Sequence, residues 1–140
     1  MAREYWNNTK KYLKTSSYSQ LLDPWQRIET LLEFLSDDSP GAATSCLLGN
    51  LGQEVSETFP AIREVCAECF DELSFLFQKE LDASKKKYGT RQKVSMKELA
   101  DYFVAISEGA LLLAKTKQMP GINRMALKHF RNYLYSLFHS

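Results

Sequence analysis

The sequence predicts an all-α fold, a multi-helix bundle of about six helices with no sheet. Two observations carry this. Apolar residues recur at spacings of three and four over long stretches, the period that lines one face of a helix. Helix starts are marked by capping patterns at Asp23-Pro24-Trp25-Gln26 and Ser95-Met96-Lys97-Glu98, where a side-chain oxygen can satisfy an orphan N–H. No alternating strand pattern, linker or internal repeat interrupts them.

Residues 3–14 carry Tyr5, Trp6, Thr9, Tyr12 and Leu13 at helical spacing, with Lys10, Lys11 and Lys14 outside. This is a helix arriving from something upstream. Thr15 to Gln20 is polar and Ser-rich and reads as a bend. Asp23 is the expected N-cap of the next helix, with Pro24 at N1 and Gln26 completing a capping box. Ile28, Leu31, Leu32 and Leu35 form its buried face, and Phe34 lies at the edge. Ser36 to Gly41 is a loop by composition.

The stretch Cys46-Leu47-Leu48-Gly49-Asn50-Leu51-Gly52-Gln53-Glu54-Val55 then reads as a short buried helix running to Glu57. Leu47, Leu48, Leu51 and Val55 share one side. Gly49 and Gly52 lie on the other, each costing about 1 kcal/mol relative to Ala, so the expectation is close approach of another helix. With Asn50 and Glu54 at the edges of its stripe, such a helix can wall a cavity. Phe59-Pro60 breaks it, because the residue before proline leaves the helical region.

The longest helix follows, with Ile62, Cys66, Cys69, Phe70, Leu73, Leu76, Phe77 and Leu81 on a broad apolar face. Lys85, Lys86 and Lys87 suit the negative end of its dipole, and Gly89 is the expected C-cap. From Leu99 to Ala114 apolar residues cover most of the circumference, interrupted by Asp101, Ser107 and Glu108. A helix of that kind needs cover on two sides. After Met119-Pro120-Gly121 turns the chain, the last helix shows Ile122, Ala126, Phe130, Tyr133, Leu134 and Leu137, with Met125 and Phe138 alongside.

At 140 residues this is one domain, with 44% hydrophobic and 25% charged residues, an ordinary globular composition. The net charge of +1 speaks against nucleic acid as the main partner of these residues, since phosphate binding rests on accumulated Lys and Arg. Cys46, Cys66 and Cys69 do not resemble a secreted disulfide framework. Neither a signal peptide nor a membrane-length apolar run is expected, and the reading is cytoplasmic.

Chemistry is sparse. Cys66-x-x-Cys69 lies inside a helix on its apolar side, where packing is favoured over redox or zinc use. His129 and His139 have no nucleophile to serve, so no catalytic residue, metal or cofactor is assigned. Glu108, inside the most apolar helix, must be paired, shifted in pKa or exposed at an edge. A solvated or interface carboxylate is the favoured reading and ligand contact the alternative. The basic run from Lys85 to Lys97 reads as a solvated face. Trp25, Phe34, Phe70, Phe75 and Phe103 are core aromatics or the lining of a hydrophobic pocket.

The segment CLLGNLGQEVSETFPAIREV resembles the one joining two central helices in the C-terminal ligand-binding domain of tetracycline-repressor (TetR) family regulators. Ser107-Glu108-Gly109-Ala110-Leu111-Leu112-Leu113-Ala114 looks like the family's penultimate helix. The likeness covers roughly residues 20–138. It implies a small-molecule pocket among Asp23–Leu35, Cys46–Glu57 and Pro60–Tyr88. It also implies a homodimer in which Lys97–Lys117 and Ile122–Phe138 pair as a four-helix bundle.

On that mapping residues 1–20 are the end of a connecting helix and 21–140 the ligand-binding and dimerisation domain. The family's DNA-binding headpiece has no counterpart in the sequence, so DNA contact is expected only through it. Candidate ligand-binding residues are Trp25, Phe34, Asn50, Gln53, Cys66, Phe70 and Phe103, for an apolar or aromatic effector. Candidate dimer residues are Tyr102, Ile106, Ala110, Leu113, Phe130, Tyr133 and Leu137. The competing class is a helical dimerisation or interaction module without a ligand; an enzyme is the least supported.

Overall fold

The computed structural model describes residues 2–15, 20, 23–36, 48–54 and 57–139. Among these there are six helices and no strand. They are α1 (Ala2–Thr15), α2 (Pro24–Phe34), α3 (residues 48–54), α4 (Pro60–Tyr88), α5 (Met96–Thr116) and α6 (Gly121–Phe138). The expected start of α3 at Cys46, most of the expected bend from Thr15 to Gln20, the loop after Ser36, and the side chain of Tyr5 lie outside the described residues; Glu57, the expected end of α3, stands in a turn.

α4 is the hub, and it touches α1, α2, α5 and α6. Its 29 residues extend about 43 Å at the helical rise. Cys66, Cys69, Leu73, Phe77 and Leu81 face the core at three- and four-residue steps and are nearly fully buried. The first turn departs from expectation: Ile62 is exposed. At the other end Gly89 has φ +73° and its N–H bonds to the Lys85 carbonyl. A side chain is disfavoured at that angle, so glycine is the residue that fits.

Phe77 stacks on Phe103 of α5 at 4.0 Å, and Phe130 of α6 sits 6.0 Å from each. Leu99, Ala100, Leu127, Leu134 and Leu137 close around this triad. α5 and α6 thereby turn one stripe apiece toward α4. Buried Asn123 was not anticipated on that stripe. Its amide donates to the Leu35 carbonyl at 2.9 Å, which satisfies an acceptor at the end of α2.

Local capping follows the sequence closely. The Ser95 side chain accepts the Glu98 N–H, and the Asp23 side chain accepts the Trp25 N–H. Asp23 does more than cap: the Tyr88 hydroxyl and Lys87 ammonium at the end of α4 also donate to it. Burial pushes the Asp23 carboxyl up, but these hydrogen bonds outweigh it and hold the pKa below the ordinary value. Arg27 of α2 meets Glu80 of α4, whose side chain is nearly buried.

α1 lies along α4. Trp6, Thr9 and Leu13 are buried there, whereas Tyr12, expected with them, is half exposed and stacks on Phe34 at 5.3 Å. Glu72 gathers the Trp6 indole, Arg3 and Lys10. Burial raises its pKa, and those donors more than reverse the effect.

Because Asp23 caps α2 and ties it to α4, Asp23→Ala is expected to cost about 1–2 kcal/mol. A urea titration should show a lower midpoint with an unchanged slope, and Asp23→Asn should recover part of the loss.

Candidate functional site

Two regions of the structure have polar or apolar groups that the fold itself does not satisfy. The first is centred on Glu108. It belongs to α5, one residue after buried Ser107, and its carboxylate reaches across to α3. A Cβ placed on Gly49 would overlap Glu108 Oε2. Gly49 therefore makes room for a carboxylate rather than for another helix backbone. Gly52 is different: a Cβ there would stand 4.0 Å from the Cys66 Cβ, an ordinary contact.

Glu108 Oε1 is buried and has no hydrogen-bond partner among the described residues, and the same is true of the Ser107 hydroxyl. Burial alone pushes the Glu108 carboxyl up to about 8. At neutral pH it therefore holds its proton. The solvated or interface carboxylate anticipated from the sequence is not what the structure contains, because the helix turns this residue inward toward α3.

The aromatic ligand candidates do not converge on this point. Trp25 packs against Tyr135, Phe138 and His139 at the far end of α6. Phe34 is engaged by Tyr12, and Phe103 by Phe77. Phe75 is 67% exposed. Phe70 is half-buried against the core. On α3, Asn50 is half-buried and Gln53 exposed. Cys66 is the candidate that faces α3, through Gly52.

Cys66 and Cys69 are free and buried, and burial raises both thiols. That disfavours the reactive thiolate and agrees with a packing role. Gly49 was legible as a costly helix glycine; its partner Glu108 was not, since nothing in local spacing joins residues 49 and 108.

The second region is the outer face of α5 and α6. Tyr102, Leu112, Leu113, Met125 and Tyr133 are 40–55% exposed. Between the two helices runs a groove of about 590 Å³ lined by Leu99, Tyr102, Ile106, Ala126, His129, Phe130 and Tyr133. Of the interface candidates, Tyr102, Ile106, Leu113 and Tyr133 reach this face, and Phe130 lines the groove between the helices. Phe130, Ala110 and Leu137 are 3–5% exposed. Phe130 and Leu137 belong to the protomer's own core, and Ala110 is buried beside them on α5. Among the described residues no helix is long and apolar enough to cross a membrane.

Two predictions follow from the Glu108 locus. Gly52→Ala should stabilise by up to about 1 kcal/mol through helix propensity, whereas Gly49→Ala should fall short of it by about 1 kcal/mol or more. In a Glu108→Ala background the two should become alike, a coupling measurable by a double-mutant cycle. The second concerns pH. A carboxyl raised from about 4.5 to about 8 in the fold contributes stability that is present in full below pH 4.5. That contribution erodes as pH rises and is gone above 8. Glu108→Gln should remove a few kcal/mol of this slope, raising Tm at pH 8.5 while changing it little at pH 5.

The chain can now be set beside known proteins. A family model described as "Transcriptional regulator LmrA/YxaF-like, C-terminal domain" matches residues 24–124. No curated protein matches the chain. Among solved structures, a TetR-family transcriptional regulator from Cytophaga hutchinsonii aligns with a TM-score of 0.81 at 15% identity, over 99% of this chain and 70% of that one. At that identity the likeness speaks for the fold, which is the helical bundle expected from the sequence. The match over most of the chain, from α2 into the first turn of α6, decides the family: the chain belongs to the LmrA/YxaF-like C-terminal domains of TetR-family transcriptional regulators.

Proposed function

We propose that this chain is the effector-sensing and dimerisation domain of a cytoplasmic TetR-like regulator, in which small-molecule binding is coupled to release of DNA. DNA is read, on this proposal, by a part of the regulator outside these residues. The observation that carries the reading is the apolar face of α5 and α6. Tyr102, Leu113 and Tyr133 stand in solvent around a groove that one protomer leaves open. Contiguous apolar surface of this kind marks an interaction site, and a face that meets its own copy about a two-fold axis satisfies both protomers at once.

The packing also supports a route from effector to DNA. α3 and α5 flank Glu108, and α4 packs against α5 and carries Cys66 beside α3. α4 in turn holds α1 through Glu72, which grips Arg3, Trp6 and Lys10. A ligand that prefers one arrangement of α3, α4 and α5 would carry α1 with it, by no more than its differential affinity for the two arrangements.

Light scattering should report about twice the 16.1 kDa chain mass. Leu113→Glu combined with Tyr133→Glu should give a folded monomer with unchanged helical circular dichroism, since both side chains lie outside the core. A wild-type monomer at high concentration would overturn the proposal.

A further inference from the structure

Resting on the dimerisation proposed above, we infer that the two copies interlock. The turn joining α5 to α6 in one copy seats in the α5–α6 groove of the other, and the two-fold axis passes beside Gly109.

Gly109 is a glycine that the protomer does not explain. It lies inside α5, it is exposed, and a Cβ built on it meets nothing within 4 Å. No neighbour in its own chain takes up the space. A glycine in a helix interior lowers stability relative to alanine. The return lies outside the protomer, where bare backbone lets a second helix approach closely. Gly49 differs, because Glu108 fills its space from within.

Tyr102, Ile106, Gly109 and Leu113 follow one another at steps of four, three and four, which lines them up along one side of α5. None of them is fully buried. The two ends of that line have opposite relief. Around Tyr102 and Ile106 the surface is hollow, the groove of about 590 Å³ that Ala126, Phe130 and Tyr133 close from α6. Toward the turn it carries Leu112, Leu113 and Met119, all exposed. Hollow and protrusion are both apolar, and both lie on one face.

A two-fold dimer through this face has two limiting arrangements. With the axis along the helices, groove lies over groove and turn over turn, and the hollow stays unfilled. With the axis across them, α5 runs antiparallel to its copy, and each turn lies over the partner's groove. The second arrangement fills both hollows with the apolar side chains at hand. Its register follows from spacing. Leu113 stands four residues past Gly109 and Ile106 three before it, about 6 and 5 Å at the helical rise. An axis beside Gly109 therefore brings Leu113 of one copy over Ile106 of the other, at the mouth of the groove, and sets the turn over Tyr102.

Disulfide trapping on the full chain tests this, because a residue beside a two-fold axis meets itself, and cysteines whose Cα atoms stand more than about 7 Å apart are not bridged. Under mild oxidation Gly109→Cys is expected to give a covalent dimer at least tenfold faster than Leu113→Cys or Tyr102→Cys, with the wild-type chain and its own cysteines as background. A mixture of Ile106→Cys and Leu113→Cys chains should cross-link faster than either alone. Gly109→Leu should keep the helical circular dichroism, since the new side chain meets nothing in its own chain, and weaken dimerisation at least tenfold. A wild-type dimer in which Gly109→Cys is not trapped, or in which Gly109→Leu dimerises as tightly as the wild type, would overturn this register and leave the dimer standing. A wild-type mass of one chain by light scattering would overturn the dimer itself.

Discussion

The stack of Phe77 on Phe103, with Phe130 set against both, is the contact on which the other arrangements rest. It joins the middle of α4 to the middles of α5 and α6. Three aromatic rings bury a large apolar area at one point, and offset pairs add roughly 0.5–1.5 kcal/mol apiece beyond that burial. Once the stack is made, the rotation of α5 about its axis is set. Ser107 and Ala110 must follow Phe103 on the inward stripe, Glu108 must lie beside them toward α3, and Tyr102 and Leu113 must stand on the opposite side. Both candidate sites are thus consequences of one packing choice.

That constraint also explains which parts were readable in the residues. Periodicity located α2, α4, α5 and α6 within a residue or two, and Asp23, Ser95, Pro60 and Gly89 marked their ends, because caps and apolar stripes are local signals. The dimer candidates divided according to a quantity that spacing does not contain. Phe130 and Leu137 were expected at the interface; both are buried in the core that meets α4, and Phe130 also lines the groove between α5 and α6. On a helix apolar nearly all round, only the neighbours decide which side is which. Which aromatics share a neighbourhood is likewise not written in their spacing. Trp25, Phe34 and Phe103 share a residue class but are claimed by three separate partners: Tyr135 with His139, Tyr12, and Phe77.

Charges are handled in two contrasting ways across the molecule. At Asp23 and Glu72 the carboxylates sit where helices must be fastened, and each collects several donors, so both stay ionised well below neutral pH. At Glu108 the carboxyl is buried deeper, and its Oε1 meets no donor among the described residues. A protein settles just above the stability it needs, and Glu108 lowers stability at working pH without a partner to offset its burial. The contrast lies within one chain, which removes composition or solvent as its explanation.

The pair Cys66 and Cys69 has a practical consequence of its own. One sits 2% exposed and the other fully enclosed on the same stripe of α4, with no disulfide between them. An alkylating reagent can reach them only when α4 parts from its neighbours. Their labelling rates therefore report how often the centre of the bundle opens, and a compound that closes it would slow that clock without having to touch either sulfur.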